Sequence, residues 1–402
     1  MEASAIEPRV NGSVTTLNSR FAPTALMLGN IVTGCSVLAP AGMLSELSQD
    51  LDVSIQTAGL LITFGAVVLC VGSPLTAWLT GTIERRRLLG LTLAVMACAN
   101  LASAFAPDYA SLLAIRLIML VIGALYTPQA AGTAALIVPA ERRGSTIAYV
   151  FLGWSIAAAA GLPLVTFIAS RYGWRAAYRE IGLLGLVSFV SLVWRLPRGL
   201  KGVAADLKTW SALARNRMVL VLLLITALQM SGQFVVFTFM APLLTKLTHV
   251  GADAVGLAFS CYGICGFIGV VIATRIVDNW GAYNTSVLAT AMVVAGLTGW
   301  AISAGDYRLM VLSVAIWGLG FASANSMQQV RLVAAAPPLA AASVSLNTSV
   351  LYIGQAVGSA IGGSLFAQGW LHLAGYVGAA LVIMALVLVL LSRRERVCRA
   401  AT

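Results

Sequence analysis

The stretch Gly72–Leu89, GSPLTAWLTGTIERRRLL, ends one apolar run, turns through a short polar loop and opens the next run. Three arginines, Arg85, Arg86 and Arg87, stand where the second run begins. Lys and Arg in short loops stay on the cytoplasmic face of a membrane, so this loop orients every other crossing once its side is fixed. A basic turn by itself is common to membrane proteins of every kind. What this one belongs to is decided by the sequence on either side of it.

Of 402 residues, 59% are hydrophobic and 10% charged, with a mean hydropathy of +0.92. Soluble domains carry about 25% charged residues. The chain therefore reads as a polytopic, all-α membrane protein, and its length holds about twelve spans of roughly 20 residues. The net charge of +11 would point to nucleic acid in a soluble protein. Here it reads as basic loops facing anionic lipid headgroups, and no nucleic-acid partner is expected. The first twenty residues are polar with no apolar core, so no cleavable signal peptide is expected. The six cysteines lie mostly inside apolar runs and read as small core residues. No metal, cofactor or catalytic cluster is expected: there is no HExxH, no buried pair of aspartates, and there are two histidines in all.

Taken in order, spans are expected near 21–43, 57–78, 88–105, 109–138, 145–170 and 176–194, then near 218–244, 254–276, 284–303, 309–330, 342–366 and 370–391. This divides the chain into a tail (1–20), an N-terminal six-helix bundle (21–195), a polar linker (196–217), a C-terminal six-helix bundle (218–391) and a second tail (392–402). With both tails cytoplasmic, inner segments and span ends hold 19 Lys and Arg, outer ones hold five, and Arg116 is left within a span. An even number of crossings is self-consistent with that bias.

The halves read as copies. The fifth span carries small residues four apart, Gly153, Ala157 and Gly161, and the eleventh carries Gly354, Gly358 and Gly362. Such stripes let helices approach closely. A repeat of six helices with a site between the copies is a transporter architecture.

These residues resemble the major facilitator superfamily, in its drug:proton antiporter and arabinose-efflux-like branch. Arg85 and Arg86 match that family's Gly-x-Leu-Ala-Asp-Arg-x-Gly-Arg-Arg loop, whereas Gly81 stands at its aspartate and Ala77 at its glycine. The second half keeps an acid there, Asp278. Arg116 matches the arginine of the helix-4 motif, with Leu120 in place of its glycine. Gly153–Pro163, GWSIAAAAGLP, resembles the helix-5 antiporter motif, with Val165 at a usual glycine. The resemblance implies the major facilitator fold in a bacterial-type inner (plasma) membrane, both termini cytoplasmic, the chain a monomer. It implies a secondary active transporter exporting a small neutral or amphipathic organic solute, drug-like or a sugar, by alternating access in exchange for protons. A facilitated uniporter and a non-transporting receptor on the same scaffold are the alternatives. Partners are then the small solute, protons and membrane lipid. The branch's acidic pair on helix 1 falls at Ser36 and Val37 in this chain, so the proton half of that expectation rests on resemblance alone.

At 1.5 Å of rise per residue, Asn30, Trp154, Gln229, Gln233, Tyr262, Tyr352 and Gln355 come out near mid-depth, about 14–24 Å in. Polar groups at that depth need partners or water. Each amide alone reads equally well as a bond to a neighbouring helix; together, on several helices, they are expected to bind substrate. Asn325, Gln328, Gln329 and Asn347 fall nearer the inner end and are expected at an inner gate. Arg116, about 10 Å below the outer surface, should face the bundle interior and find an acceptor, organising helices 4 and 5 or coupling protonation to movement. Snorkelling to the headgroups is the alternative. Arg85, Arg86, Arg116, Arg142, Gly161, Pro163 and Asp278 form the expected conformational set, with Asp278 carrying the latch that Gly81 cannot.

Overall fold

The computed structural model describes residues 21–80, 83–139, 143–201, 215–336 and 340–392. Within them the chain is helical throughout. The first half comprises α1 (Ala22–Gly42), α2 (Ile55–Leu79), α3 (Arg85–Ser103), α4 (Tyr109–Gly123 and Tyr126–Leu136), α5 (Arg143–Tyr172) and α6 (Trp174–Arg195). The second comprises α7 (Arg217–Phe237), α8 (Ala252–Val277), α9 (Asn279–Ile302), α10 (Tyr307–Ala335), α11 (Ala340–Ala367) and α12 (Leu373–Leu391). Short helices Leu44–Asp50 and Met240–Thr248 continue α1 and α7 past a bend. Among the described residues, 11 helices are long and apolar enough to cross a membrane. The twelfth, α3, has 19 residues and opens on the arginines of the basic loop. It packs inside the first bundle against α4 and α6. The linker centre, 202–214, lies outside the described residues.

Proline sets the irregularities. A proline removes the N–H that would bond the carbonyl four residues back. Pro128 leaves that of Ala124 unmatched, and α4 breaks at Ala124–Leu125. Pro242 does the same to Thr238, and α7 bends at Thr238–Phe239. Pro163 does it to Ala159, inside the one π-helical turn described, Ala157–Gly161. Glycines with positive φ make the tight turns, Gly173 (83°) between α5 and α6 and Gly281 (76°) at the kink in the first turn of α9. No side chain with a Cβ adopts that region cheaply.

The two halves repeat one another in side-chain detail. Tyr109, capped by Asp108 at the start of α4, donates its hydroxyl to Thr57 O on α2 at 2.7 Å. Tyr307, capped by Asp306 at the start of α10, donates to Ala254 O on α8 at 2.9 Å. Gly153 lets α5 lie against Met27 and Asn30 of α1; Gly354 lets α11 lie against Ala227 and Met230 of α7. These pairs place α2 and α8, α4 and α10, α1 and α7, and α5 and α11 in register. The fold is two pseudo-symmetric six-helix bundles.

Candidate functional site

The bundles meet along α2 with α11 and along α5 with α8. On the first seam Thr63 donates to Ser359 Oγ at 2.9 Å. Phe239, at the bend of α7, fills the space beside Gly59 of α2 and Gly362 and Gly363 of α11, and stacks on Phe366 at 5.7 Å. On the second, the π-helical turn of α5 lies directly on α8: a Cβ on Gly263 would stand 2.3 Å from Ala159 Cα. Farther out, Arg171 of α5 faces Asp253 of α8 at 4.0 Å. These contacts run from mid-span to the end remote from the basic loops, where the short helices that continue α1 and α7 also touch.

Between the seams lie the residues expected at mid-depth. Trp154 of α5 and Tyr352 of α11, from opposite halves, pack on the same apolar cluster of Val37, Leu69, Met96, Met119, Leu120 and Ala124. Trp154 donates its indole N–H to Thr127 Oγ1 at 3.1 Å, and Thr127 donates to Asn30 Oδ1 at 2.9 Å. Asn30 in turn donates to Val150 O at 2.9 Å. A polar chain through α4, α1 and α5 thus fixes the angle of the Trp154 ring, and Thr127 is its middle member. Sequence reading passed over Thr127 because a lone Thr beside a proline carries no depth signal of its own.

In the second half Gln229 donates to Thr290 Oγ1 of α9 at 2.8 Å, and its Oε1 is buried without a protein partner. Gln233 Oε1 accepts from Trp317 Nε1 of α10 at 2.7 Å. In this conformation both amides face their own bundle. Tyr262 stands in an aromatic group with Trp317, Phe237 and Phe321, at centroid distances of 5.0–5.4 Å. Gln355 is buried on α11. Asn347 Nδ2 and Asn325 Oδ1 are also buried without protein partners, while Asn347 Oδ1 accepts from Thr226 at 2.7 Å.

Arg116 is 1% exposed and interior, not snorkelling. It donates to Ser36 O and Val37 O of α1 at 2.8 Å each and to Leu61 O of α2 at 2.9 Å. It therefore pins α4 to α1 and α2. Its acceptors on α1 are the backbone of the two positions where the resembling branch has acids.

At the basic end, buried Arg85 donates to Gln129 Oε1 of α4, and its amide N–H bonds Leu200 O at 2.8 Å. Arg86 is half-buried; Arg87 pairs with Glu84 at 3.0 Å. In the second half Arg331 donates to Gln328 Oε1 at 3.1 Å and to Ser286 Oγ of α9 at 3.3 Å. Each half therefore carries a buried arginine bound to an amide of its fourth helix. Arg331 went unremarked in the sequence because it sits at a helix end, where basic residues are ordinary. Gly161 and Pro163 sit at the π-helical turn, Gly161 against Cys35 and Pro163 opposite Gly256. Arg142 and the side chain of Asp278 lie outside what is described.

Two six-helix repeats meeting along paired seams define the architecture of a multi-pass membrane transporter. The Major Facilitator Superfamily model matches residues 26–345 and 222–399, and the chain belongs to that superfamily. It is 29% identical over 377 residues to the inner membrane transport protein YdhP of Escherichia coli (strain K12), covering 92% of this chain and 96% of that one. It is 29% identical over 331 residues to the chloramphenicol resistance protein of Streptomyces lividans, covering 81% and 84%. The crystal structure of a D-xylose–proton symporter superposes with a TM-score of 0.76 at 14% identity, over 92% of this chain and 97% of that one.

Proposed function

We propose that this chain carries a small neutral or amphipathic organic solute of drug-like character across an inner (plasma) membrane by alternating access between its two bundles. The observation that carries this reading is the pair Trp154 and Tyr352, which pack from opposite halves on one apolar cluster. Two flat aromatic faces with amides and hydroxyls nearby bind apolar bodies that carry a few polar groups. The relative that shares most of its length and confers chloramphenicol resistance supports a solute of that kind. The glycine seams support the movement: backbone lying on backbone allows one bundle to roll on the other with few side chains in the way.

Purified protein in liposomes loaded with unlabelled chloramphenicol should show counterflow of the labelled compound. Trp154→Ala and Tyr352→Ala should each weaken its half-saturation by about tenfold, the loss of one aromatic contact of roughly 1–1.5 kcal/mol. Binding without counterflow would instead identify a receptor. Neither binding nor counterflow would remove chloramphenicol-like solutes from the reading.

A further inference from the structure

We infer that this transporter works as a facilitator, equilibrating its solute with no proton moved in exchange. The inference rests on the transporter reading above and concerns how that same cleft is driven. Proton antiport needs a group in the alternately accessible compartment that binds a proton facing one side and releases it facing the other. Such a group must titrate between about pH 5 and 8, which leaves carboxylates raised by burial, histidines and lysines lowered by burial.

The sequence places none of these at mid-depth. By position, each of its 14 Asp and Glu lies in a tail, a loop or the first two turns of a span. The deepest, Glu180, is about 9 Å in from the start of α6 and is exposed. His249 and His372 lie in loops before α8 and α12, Lys246 beyond α7, and Lys201 and Lys208 in the linker. At mid-depth the ionisable groups are Arg116 together with tyrosines and cysteines, residue types whose ordinary values near 10 and 8.5 lie above that window.

Arg116 would serve a relay if it shared a proton-bearing partner. It donates to the carbonyls of Ser36, Val37 and Leu61, which accept in every protonation state. Among the described residues, the ionisable side chains beside it are the phenols of Tyr178 and Tyr109, with no carboxylate or histidine. Arg85 donates likewise to the amide of Gln129. One acid stands near the moving seam. Glu46 lies on the short helix after α1, which touches Met240–Thr248 of the other half, and burial raises its carboxyl. Lys246 on the facing helix lies over the Phe366 ring at 4.7 Å. Asp50 on Glu46's own helix is bound to Arg175. Glu46 is thus at the remote rim, outside the cleft that holds the solute.

Two arms test the inference. In chloramphenicol-loaded liposomes a gradient of one pH unit should leave the steady-state concentration ratio at one, where one-for-one exchange would drive it toward about tenfold. The second arm needs no solute, so it stands even if chloramphenicol is not carried and the transporter reading fails for that compound. Spin labels at Ile83 and Val333, exposed at the basic end of opposite halves, should give the same distance distribution at pH 5.5 and 8.5. Accumulation near tenfold, or a distance population that titrates in that range, overturns the inference. If Glu46→Gln abolishes that titration, the coupled proton sits on the rim carboxylate.

Discussion

At the scale of single residues, the strongest constraint is a buried cation with no acid beside it. Arg116 offers a planar fork that matches three carbonyls on two helices, and lysine cannot reproduce it. Arg116→Ala removes all three bonds and leaves Ser36 O, whose helical partner position is Pro40, without a donor, at about 1–3 kcal/mol for that carbonyl alone. The apparent melting temperature in detergent should therefore fall by well over 5 °C, and Arg116→Lys should recover only part of the loss. A variant that melts like the parent would show that α1 and α2 do not depend on this pin. Asp50 gives a pH signature. It accepts from Trp174 Nε1 at 2.9 Å and from Arg175, which also reaches Ala106 O at 3.2 Å. The bond to Arg175, then that to Trp174, holds its carboxyl below the usual carboxylate range. A depressed folded value adds stability above the unfolded value of about 3.9, and that stability is lost as pH falls through the folded value. Both partners are partly exposed, so the effect is small. Asp50→Asn should lower the melting temperature slightly at pH 7 and not at pH 2.5, so the difference between the two variants should vanish on acidification.

At the scale of elements, prolines one turn past each break set where α4, α5 and α7 depart from regular helix. The glycines then set which helices touch. Gly263 is the sharpest case, because its neighbours at 2.3 Å are backbone atoms of Ala159, which cannot swing aside. Gly263→Ala must push α8 off α5, at the cost of an overpacked seam, typically 1–3 kcal/mol. Spin labels at Arg171 and Asp253, on opposite halves of that seam, should report a longer and broader distance than in the parent. An unchanged distribution would mean the π-helical turn yields instead. Gly59→Val acts on the other seam, where its side chain would occupy the place of the Phe239 ring.

At the scale of the whole molecule, the contacts between halves gather from mid-span to the remote end, and the basic loops lie at the other. If those loops are cytoplasmic, as their arginines predict, the described contacts between halves close the opposite end in this conformation. Asn325→Cys in an otherwise cysteine-free chain should react with a membrane-impermeant thiol reagent in inside-out vesicles and be protected in right-side-out ones. The reverse pattern would invert the orientation. The repeat was legible beforehand through the paired small-residue stripes, and the structure extends it to Tyr109 with Tyr307 and to Gln129 with Gln328. Those pairs share no motif that a reader of sequence could align, because what they have in common is a bond to a carbonyl or an arginine on another helix.

Composition, span lengths and the distribution of arginines determined that this chain crosses a membrane many times in two similar sets, since hydrocarbon admits few charges and each crossing needs a fixed length of apolar helix. The same one-dimensional record placed every acid and histidine away from mid-depth, and the inferred absence of proton exchange follows from that. Only the tertiary structure decided the partners. It turned Arg116 toward α1 and α2, and it turned Gln229 and Gln233 into their own bundle. It also linked Asn30, Thr127 and Trp154 into one chain of hydrogen bonds. Depth along a helix can be counted from sequence. The direction a side chain faces depends on the rotation of each helix about its axis, and packing against residues far away in the chain fixes that rotation.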